Sequence, residues 1–109
     1  MENNLTDSNF EETISATDKF FLVDFFATWC GPCQVLGPIL EKVAEQFKDN
    51  VVLLKVDVDQ FPVSSQKFGI DRIPSVFIFK NGKPVNNFVG LIPEAQIKDW
   101  VENTIKEHK

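Results

Sequence analysis

Both cysteines of this chain lie in one short stretch, Trp29–Cys33, where two residues separate the thiols. Residues three apart on a helix share a face, and their Cα atoms then lie about 5–6 Å apart, within the range that a disulfide tolerates. Such a pair opens and closes with little backbone movement. The chemistry that these residue types could perform at this spacing is therefore thiol–disulfide exchange.

The elements around the cysteines are predicted from apolar spacing. Phe20 to Ala27 is a nearly continuous apolar run typical of a buried strand, and Gln34 to Phe47 has helical apolar periodicity. Cys30 is then expected at the N-terminus of a helix, where free N–H groups and the helix dipole favour a thiolate. We expect Cys30 to be the exposed, attacking thiol and Cys33, one turn further on, to be the shielded, resolving thiol.

Two other interpretations of the cysteine pair are a zinc site and an inert structural disulfide. Zinc usually takes about four ligands, and the only histidine, His108, is far away at the C-terminus. We therefore predict no metal. The start of the chain has neither the basic nor the apolar region of a signal peptide, which favours a reducing, cytoplasmic location, with a processed organelle form as the alternative. In a reducing compartment, a Cys-x-x-Cys pair is more often catalytic than structural.

Length and charge limit the other function classes. The 109 residues suffice for one compact domain, which we expect to span residues 1–109. The net charge of -5 argues against binding to nucleic acid or to an anionic membrane surface. No apolar run approaches the roughly 18 residues of a membrane span.

The remaining elements follow from capping residues, turns and apolar spacing. Asp7 or Ser8 is expected to cap a short helix that presents Phe10 and Ile14, and Leu5 and Thr6 weakly indicate the end of a first strand. Asn81-Gly82 indicates a two-residue hairpin. In chain order, the other predicted elements are a strand over Val51 to Val58, a helix over Pro62 to Phe68 ended by Gly69, paired strands over Val76–Lys80 and Pro84–Val89, and a helix from about Pro93 to Lys106.

Two charged residues interrupt the predicted buried strands. Asp24 is costly to ionise there, so we expect a raised pKa. Because Leu22, Asp24 and Phe26 share one face of their strand, Asp24 is expected under the start of the cysteine-bearing helix. Lys55 interrupts the next strand, and it either contacts Asp24, directly or through water, or extends to the surface. For Asp24 itself, a role in proton transfer and a purely structural role both remain open.

Together these residues resemble the thioredoxin family, over essentially the whole chain. The resemblance rests on marks that occur in the family's order and spacing: Val23-Asp24-Phe25, Trp29-Cys30-Gly31-Pro32-Cys33, Lys55 with Asp59, Gly69-Ile70, Ile73-Pro74-Ser75, Phe79-Lys80-Asn81-Gly82 and Gly90. It implies an α/β thioredoxin fold, with a central mixed, mostly parallel sheet, an antiparallel C-terminal hairpin and helices on both faces.

The resemblance also implies a mechanism. Cys30 would attack a protein disulfide and form a mixed disulfide, which Cys33 would resolve. Asp24 would accept or relay the proton of Cys33, and Lys55 would tune Asp24. The redox-active pair would need no bound cofactor, since electrons would come from NADPH through a thioredoxin reductase.

A docking surface for client proteins is a further implication of the resemblance. Pro74 would follow a cis peptide bond and place the backbone of Ile73 beside an extended client segment. The residues of this flat apolar surface would be Trp29, Gly31, Pro32, Ile73, Pro74 and Gly90. The expected partners are the reductase and disulfide-containing clients, the expected oligomeric state is a monomer, and nucleic acid and membranes are not expected as partners.

Three residues depart from the common family pattern. Phe26 lies where many members carry Trp or Tyr, Gln34 where Lys or Arg is frequent, and Ser75 where Thr is usual. Pro32 adds no cation beside the thiolate, which favours a reductant over an oxidant or disulfide isomerase. The alternative is a binding module without enzymatic activity, in which the apolar surface serves as a scaffold subunit for another enzyme and the cysteines do not react.

Overall fold

A computed structural model of the chain describes residues 4–109. Its helices are α1 (Phe10–Ile14), α2 (Gly31–Gln46), α3 (Pro62–Lys67) and α4 (Glu94–His108), and its strands are β1 (Phe20–Phe26), β2 (Val51–Asp57), β3 (Ser75–Lys80) and β4 (Lys83–Val89). These bounds lie within about two residues of the predicted ones. No helix within residues 4–109 has the length and apolar content needed to cross a membrane.

The four strands form a mixed sheet in the order β2-β1-β3-β4. The mixed sheet and the C-terminal hairpin are confirmed, but the prediction of a mostly parallel sheet is wrong, because β1 pairs in parallel with β2 and antiparallel with β3, and β3 pairs antiparallel with β4. An uninterrupted apolar strand sequence indicates burial on both faces and does not fix the direction of the neighbouring strand.

The predicted first strand is reduced to one parallel bridge between Asn4 and Lys55. The N–H of Leu5 donates to the carbonyl oxygen of Lys55 at 2.6 Å, which ties the N-terminal segment to the outer edge of β2. Any earlier part of such a strand falls on residues 1–3, outside the described residues.

Side chains alternate between two cores, one on each face of the sheet. On one face, Phe20 and Leu22 of β1 pack with apolar residues of α2 and α4. On the other face, Phe21, Val23 and Phe25 pack with α1 and with an aromatic cluster. That cluster consists of Phe10, Phe25, Phe68, Phe77 and Phe79, whose ring centroids lie 5.1–6.4 Å apart in its contacting pairs. The alternation places Asp24 on the face that α2 covers.

The hairpin between β3 and β4 forms at the predicted residues. Asn81 has a φ of 55° and Gly82 a φ of 80°, the left-handed pair that a two-residue hairpin turn of type I′ requires. A Cβ atom at position 82 would also lie 2.6 Å from the hydroxyl oxygen of Ser15. Gly82 therefore serves both the backbone conformation and the close approach of the loop after α1.

Helix α3 is capped by a residue from a distant part of the chain. Asp7 or Ser8 was predicted to cap α1, and this prediction is wrong: Asn9 occupies the N-cap of α1, without a side-chain capping bond. Asp7 Oδ1 instead accepts hydrogen bonds from the N–H and the hydroxyl of Ser64, at 2.8 and 2.7 Å, and its Oδ2 accepts one from the N–H of Val63 at 3.3 Å. Asp7 thus satisfies N–H groups that the first turn of α3 leaves free.

Candidate active site

The two cysteines form a disulfide at the junction of β1 and α2. Their Cα atoms lie 5.2 Å apart, as their spacing predicted. Cys30 is the N-cap residue of α2, with extended backbone angles, and its Sγ accepts a hydrogen bond from the N–H of Cys33 at 3.2 Å. The sulfur of Cys30 therefore occupies the position at which a helix N-terminus stabilises negative charge.

The two thiol positions do not differ in exposure as predicted. Cys30 is 5% exposed and Cys33 is 4% exposed, so the expectation of one exposed and one shielded cysteine is wrong for the disulfide form. Both pack with Ala27, and Phe26, Val58 and Ile73 lie against the cluster. What distinguishes the two sulfurs is the capping hydrogen bond to Cys30, not the exposed fraction.

Asp24 lies in the middle of β1 and is 1% exposed. Its Oδ1 has no hydrogen-bond partner within residues 4–109. Burial raises the pKa of Asp24 to about 6, and attraction by the Lys55 ammonium opposes that rise in part. The carboxyl group can therefore bind and release a proton near neutral pH, which is the property required of a general acid or base.

Lys55 is the register partner of Asp24 on the adjacent strand. Its ammonium makes an ion pair with Glu41 of α2, with Nζ 3.7 Å from Oε2, and lies 5.8 Å from the centre of the Phe26 ring. No ion pair joins Lys55 to Asp24 in the described part of the chain. A direct ion pair with Asp24, one form of the contact that the sequence left open, is therefore not formed, and the Lys55 side chain is 24% exposed and extends to Glu41.

A groove of about 190 Å³ opens beside the disulfide. Trp29 borders it with a side chain that is 70% exposed, and the indole N–H of Trp29 donates to Asp59 Oδ2 at 2.7 Å. The groove is lined by Trp29, Val58, Ile70, Asp71, Arg72 and Ile73. An exposed indole anchored through its N–H can offer its apolar face to a ligand without losing its orientation.

Pro74 and Gly90, two further predicted docking residues, are joined by a hydrogen bond beside Ile73, which lines this groove. The peptide bond between Ile73 and Pro74 is cis, as predicted. The N–H of Gly90 donates to the carbonyl oxygen of Pro74 at 2.8 Å. Space does not require a glycine at position 90, because no atom lies within 4 Å of a Cβ atom built there. Gly90 is required by its φ of 94° instead.

Gly31 and Pro32 form the first turn of α2 between the cysteines, and both are exposed. Proline fits this turn because its missing N–H would have no partner within the helix. Gln34 donates from its side-chain amide to the carbonyl oxygen of Thr28 at 3.3 Å and so bridges the helix to the loop that carries Trp29. Trp29, both cysteines, Gly31 and Pro32 thus lie in one continuous segment, from the loop after β1 into the first turn of α2.

The sequence patterns do not indicate three residues of the site. Glu41 forms the ion pair with Lys55, and Asp71 and Arg72 line the groove. The Glu41 contact depends on the packing of α2 over β2, and no local pattern reports it. No group of three or more His, Cys, Asp or Glu side chains suited to a metal ion occurs within residues 4–109.

A mixed sheet between helices, with a Cys-x-x-Cys disulfide at a helix N-terminus and a cis-proline, defines a class of thiol–disulfide exchange proteins. A sequence model of the family described as Thioredoxin matches residues 2–103. Thioredoxin of Alicyclobacillus acidocaldarius is 45% identical over 102 residues, which are 94% of this chain and 96% of that protein. Thioredoxin of Rickettsia prowazekii is 37% identical over 105 residues, 96% of this chain and 100% of that protein.

A plant relative is also similar. Thioredoxin Y2, chloroplastic, of Arabidopsis thaliana is 39% identical over 101 residues, which are 93% of this chain and 60% of that protein. With these matches over nearly its full length, the chain belongs to the thioredoxin family. It is a thiol–disulfide oxidoreductase whose reactive group is the Cys30–Cys33 pair.

Proposed function

We propose that this protein is a general protein-disulfide reductase in which Cys30 is the nucleophile and Cys33 the resolving thiol. The observation that carries the assignment is the hydrogen bond from the N–H of Cys33 to Cys30 Sγ at the N-cap of α2. A thiolate at Cys30 gains this bond and the helix dipole, whereas Cys33, inside the first turn, supplies the N–H donor. The thiol that is more readily deprotonated is the one that attacks.

The reaction transfers two electrons and two protons to the client. The Cys30 thiolate attacks one sulfur of a client disulfide, the client S–S bond breaks, and the released client thiolate takes up a proton. A mixed disulfide then joins Cys30 to the client. Cys33 loses its proton and attacks Cys30 Sγ, which releases the second client sulfur as a thiol and leaves the Cys30–Cys33 disulfide.

Asp24 is proposed to accept or relay the proton of Cys33 in the second step. This assignment is supported by its burial on the face that α2 covers and by a pKa raised to about 6, through burial against the weaker opposing attraction of Lys55. A group that titrates near the working pH exchanges protons most effectively. Lys55 is proposed to tune Asp24 and to take no direct part in the chemistry.

The groove is proposed to bind the client segment that carries the disulfide. Trp29 offers an exposed indole on one side, and Ile73, which lies against the cysteine cluster, offers backbone groups on the other. Gly31, Pro32, Pro74 and Gly90 would complete this surface. An extended client strand can pair with the backbone here while its side chains rest on apolar groups.

The oxidised protein is proposed to be recharged by an NADPH-dependent thioredoxin reductase, without a cofactor bound to this chain. We place the activity in the cytoplasm, the kind of reducing compartment in which a dithiol reductant is maintained. The protein is proposed to act as a monomer, because the same surface around Trp29 must remain free for clients and reductase in turn.

Insulin reduction and mixed-disulfide trapping test the assignment of the two thiols. With dithiothreitol as the electron source, the wild-type protein should accelerate insulin reduction, and Cys30→Ser should abolish that acceleration. Reduced Cys33→Ser should accumulate a covalent adduct with an insulin chain, seen by mass spectrometry and lost on adding excess dithiothreitol. Cys30→Ser is the matched control and should form no adduct. Turnover by Cys30→Ser, or an adduct through Cys33, would reverse the proposed roles.

A further inference from the structure

Lys55 interacts with two carboxyl groups of very different exposure. Asp24, its register partner on β1, is 1% exposed, and the Lys55 ammonium attracts the Asp24 carboxylate. Glu41 of α2, whose side chain is 61% exposed, forms an ion pair with the same ammonium. The side chain of Lys55 is 24% exposed, and its ion pair is with Glu41.

Helix α2 leaves room for this arrangement one turn before Glu41. A Cβ atom built on Gly37 would lie 3.3 Å from Lys55 Nζ, closer than a side chain normally approaches. Gly37 and Glu41 are four residues apart and therefore lie on the same face of the helix. One face of α2 thus supplies both the space that the ammonium occupies and the carboxylate that attracts it.

We propose that Glu41 is a positioning residue for the redox site: its carboxylate holds the Lys55 ammonium towards the exposed side of the interface between α2 and the sheet and so weakens the attraction between Lys55 and Asp24. Glu41 touches neither the cysteines nor a client and acts only through Lys55. Because Lys55 opposes the effect of burial on Asp24, Glu41 raises the pH at which Asp24 loses its proton.

The other charged groups around Asp24 are few among the described residues. From β2, Asp57 lies two residues beyond Lys55 and hence on the same face, and its Oδ1 accepts the N–H of Asp59. From β3, the register partner of Asp24 is the apolar Val76. From α2 come Glu41 and, after reduction, the two thiols. The residues that α4 buries against the same face carry no charge and are Ile97, Val101, Thr104 and Ile105.

The test is an NMR titration of the Asp24 carboxyl carbon in the disulfide form, where neither thiol titrates. Glu41→Gln should lower the Asp24 midpoint by roughly half a pH unit, since Lys55 is then free to approach Asp24. Glu45→Gln is the matched control, because Glu45 lies one turn further along α2 and pairs with Lys48, with the same change in net charge. It should leave the midpoint unchanged.

A double-mutant cycle separates an effect through Lys55 from direct repulsion between Glu41 and Asp24. In a Lys55→Met background, Glu41→Gln should shift the midpoint by less than half as much as it does in the wild type. No shift for Glu41→Gln, an equal shift for Glu45→Gln, or an undiminished shift without Lys55 would each overturn the proposal.

A second measurement separates the positioning of Lys55 by Glu41 from the proposed catalytic role of Asp24. Only the effect of Glu41 on the reaction rate rests on that proposed role. If Asp24 relays the proton of Cys33, the pH profile of insulin reduction should move to lower pH in Glu41→Gln, in step with the titration. A moved titration with an unmoved rate profile would support the positioning of Lys55 by Glu41 and contradict the catalytic role of Asp24.

Discussion

The carboxyl group of Asp24 loses its hydration when the chain folds, and the strand provides no hydrogen bond to Oδ1 in return. Burial therefore raises its pKa from the ordinary value of 3.8 to about 6, against the weaker pull of Lys55. A carboxyl group whose pKa is higher in the folded state favours folding most when it is protonated. Its contribution to stability is fully present below about pH 4 and is lost as the pH rises through about 6.

Replacing Asp24 by Asn should therefore stabilise the protein at neutral pH. A shift of about two pH units corresponds to roughly 3 kcal/mol, and the buried amide offsets part of that gain, so we expect a rise of about 1–3 kcal/mol in the free energy of unfolding at pH 7.5. The gain over wild type should be lost near pH 3.5, where Asp24 is protonated and only the cost of burying the amide remains. Urea unfolding at both pH values measures it.

The same variant should reduce insulin more slowly, because Asn cannot accept the proton of Cys33. A stabilised variant with an unchanged rate would assign Asp24 a structural role only. A variant that gains no stability at pH 7.5 would show that the carboxyl group is not costly to ionise in the fold. The two measurements therefore separate the catalytic and the structural consequences of one buried acid.

For single residues, the sequence predicted which side chains could react better than it predicted which side chains they contact. The cysteine spacing, the helix start at Cys30 and the buried Asp24 follow from local patterns. The equal exposure of Cys30 and Cys33 does not, since it depends on side chains such as Val58 and Ile73 that arrive from other elements. The ion pair of Lys55 with Glu41 was missed for the same reason.

Helix α3 shows how a short element depends on distant residues. It has six residues and no capping bond from its own N-cap, Phe61. At its other end, Gly69 has a φ of 65°, the N–H of Gly69 donates to Gln66, and the N–H of Ile70 donates to Ser65. These two bonds are those of a Schellman motif, and the end of the helix at Gly69 is as the sequence predicted. The cap by Asp7, 57 residues from Ser64, could not be predicted from local sequence.

Loss of the Asp7 cap should weaken α3 and the segment that it leads into. Asp7→Ala should lower the thermal unfolding midpoint by a few degrees, because it leaves N–H groups of Val63 and Ser64 without their acceptor. Amide hydrogen exchange should become faster in α3, while exchange in α4 remains unchanged. Ser64→Ala, which removes only the hydroxyl donor, should have a smaller effect.

The stability that the Asp7 cap contributes depends on pH. Desolvation raises the pKa of Asp7, but the hydrogen bonds from the backbone and side chain of Ser64 and from the N–H of Val63 outweigh it and hold the pKa below its usual range. The stability that this cap contributes is present above the ordinary pKa and is lost as the pH falls through the lowered one.

Amide hydrogen exchange in α3 decides whether the cap matters. If the amides of α3 exchanged as slowly in Asp7→Ala as in the wild type, the cap would be dispensable.

At the scale of the whole molecule, the sheet carries a separate core on each face, and the redox site lies where β1 ends and α2 begins. The strand and helix order was predictable because each element has a clear apolar period or turn signal. The direction of β3 relative to β1 was not, because two-sided burial gives parallel and antiparallel strands the same apolar sequence. Family membership adds what periodicity lacks, namely that the cysteine pair exchanges electrons with other disulfides.

Whether the Cys30–Cys33 pair serves as a reductant is decided by its reduction potential. Pro32 places no cation beside Cys30, so the dithiol should donate electrons readily. Equilibration with glutathione buffers of known ratio, followed by alkylation and mass spectrometry, should give a value near the roughly −270 mV characteristic of thioredoxin. A value near the roughly −180 mV of a disulfide isomerase would show that the pair is not the reductant proposed here.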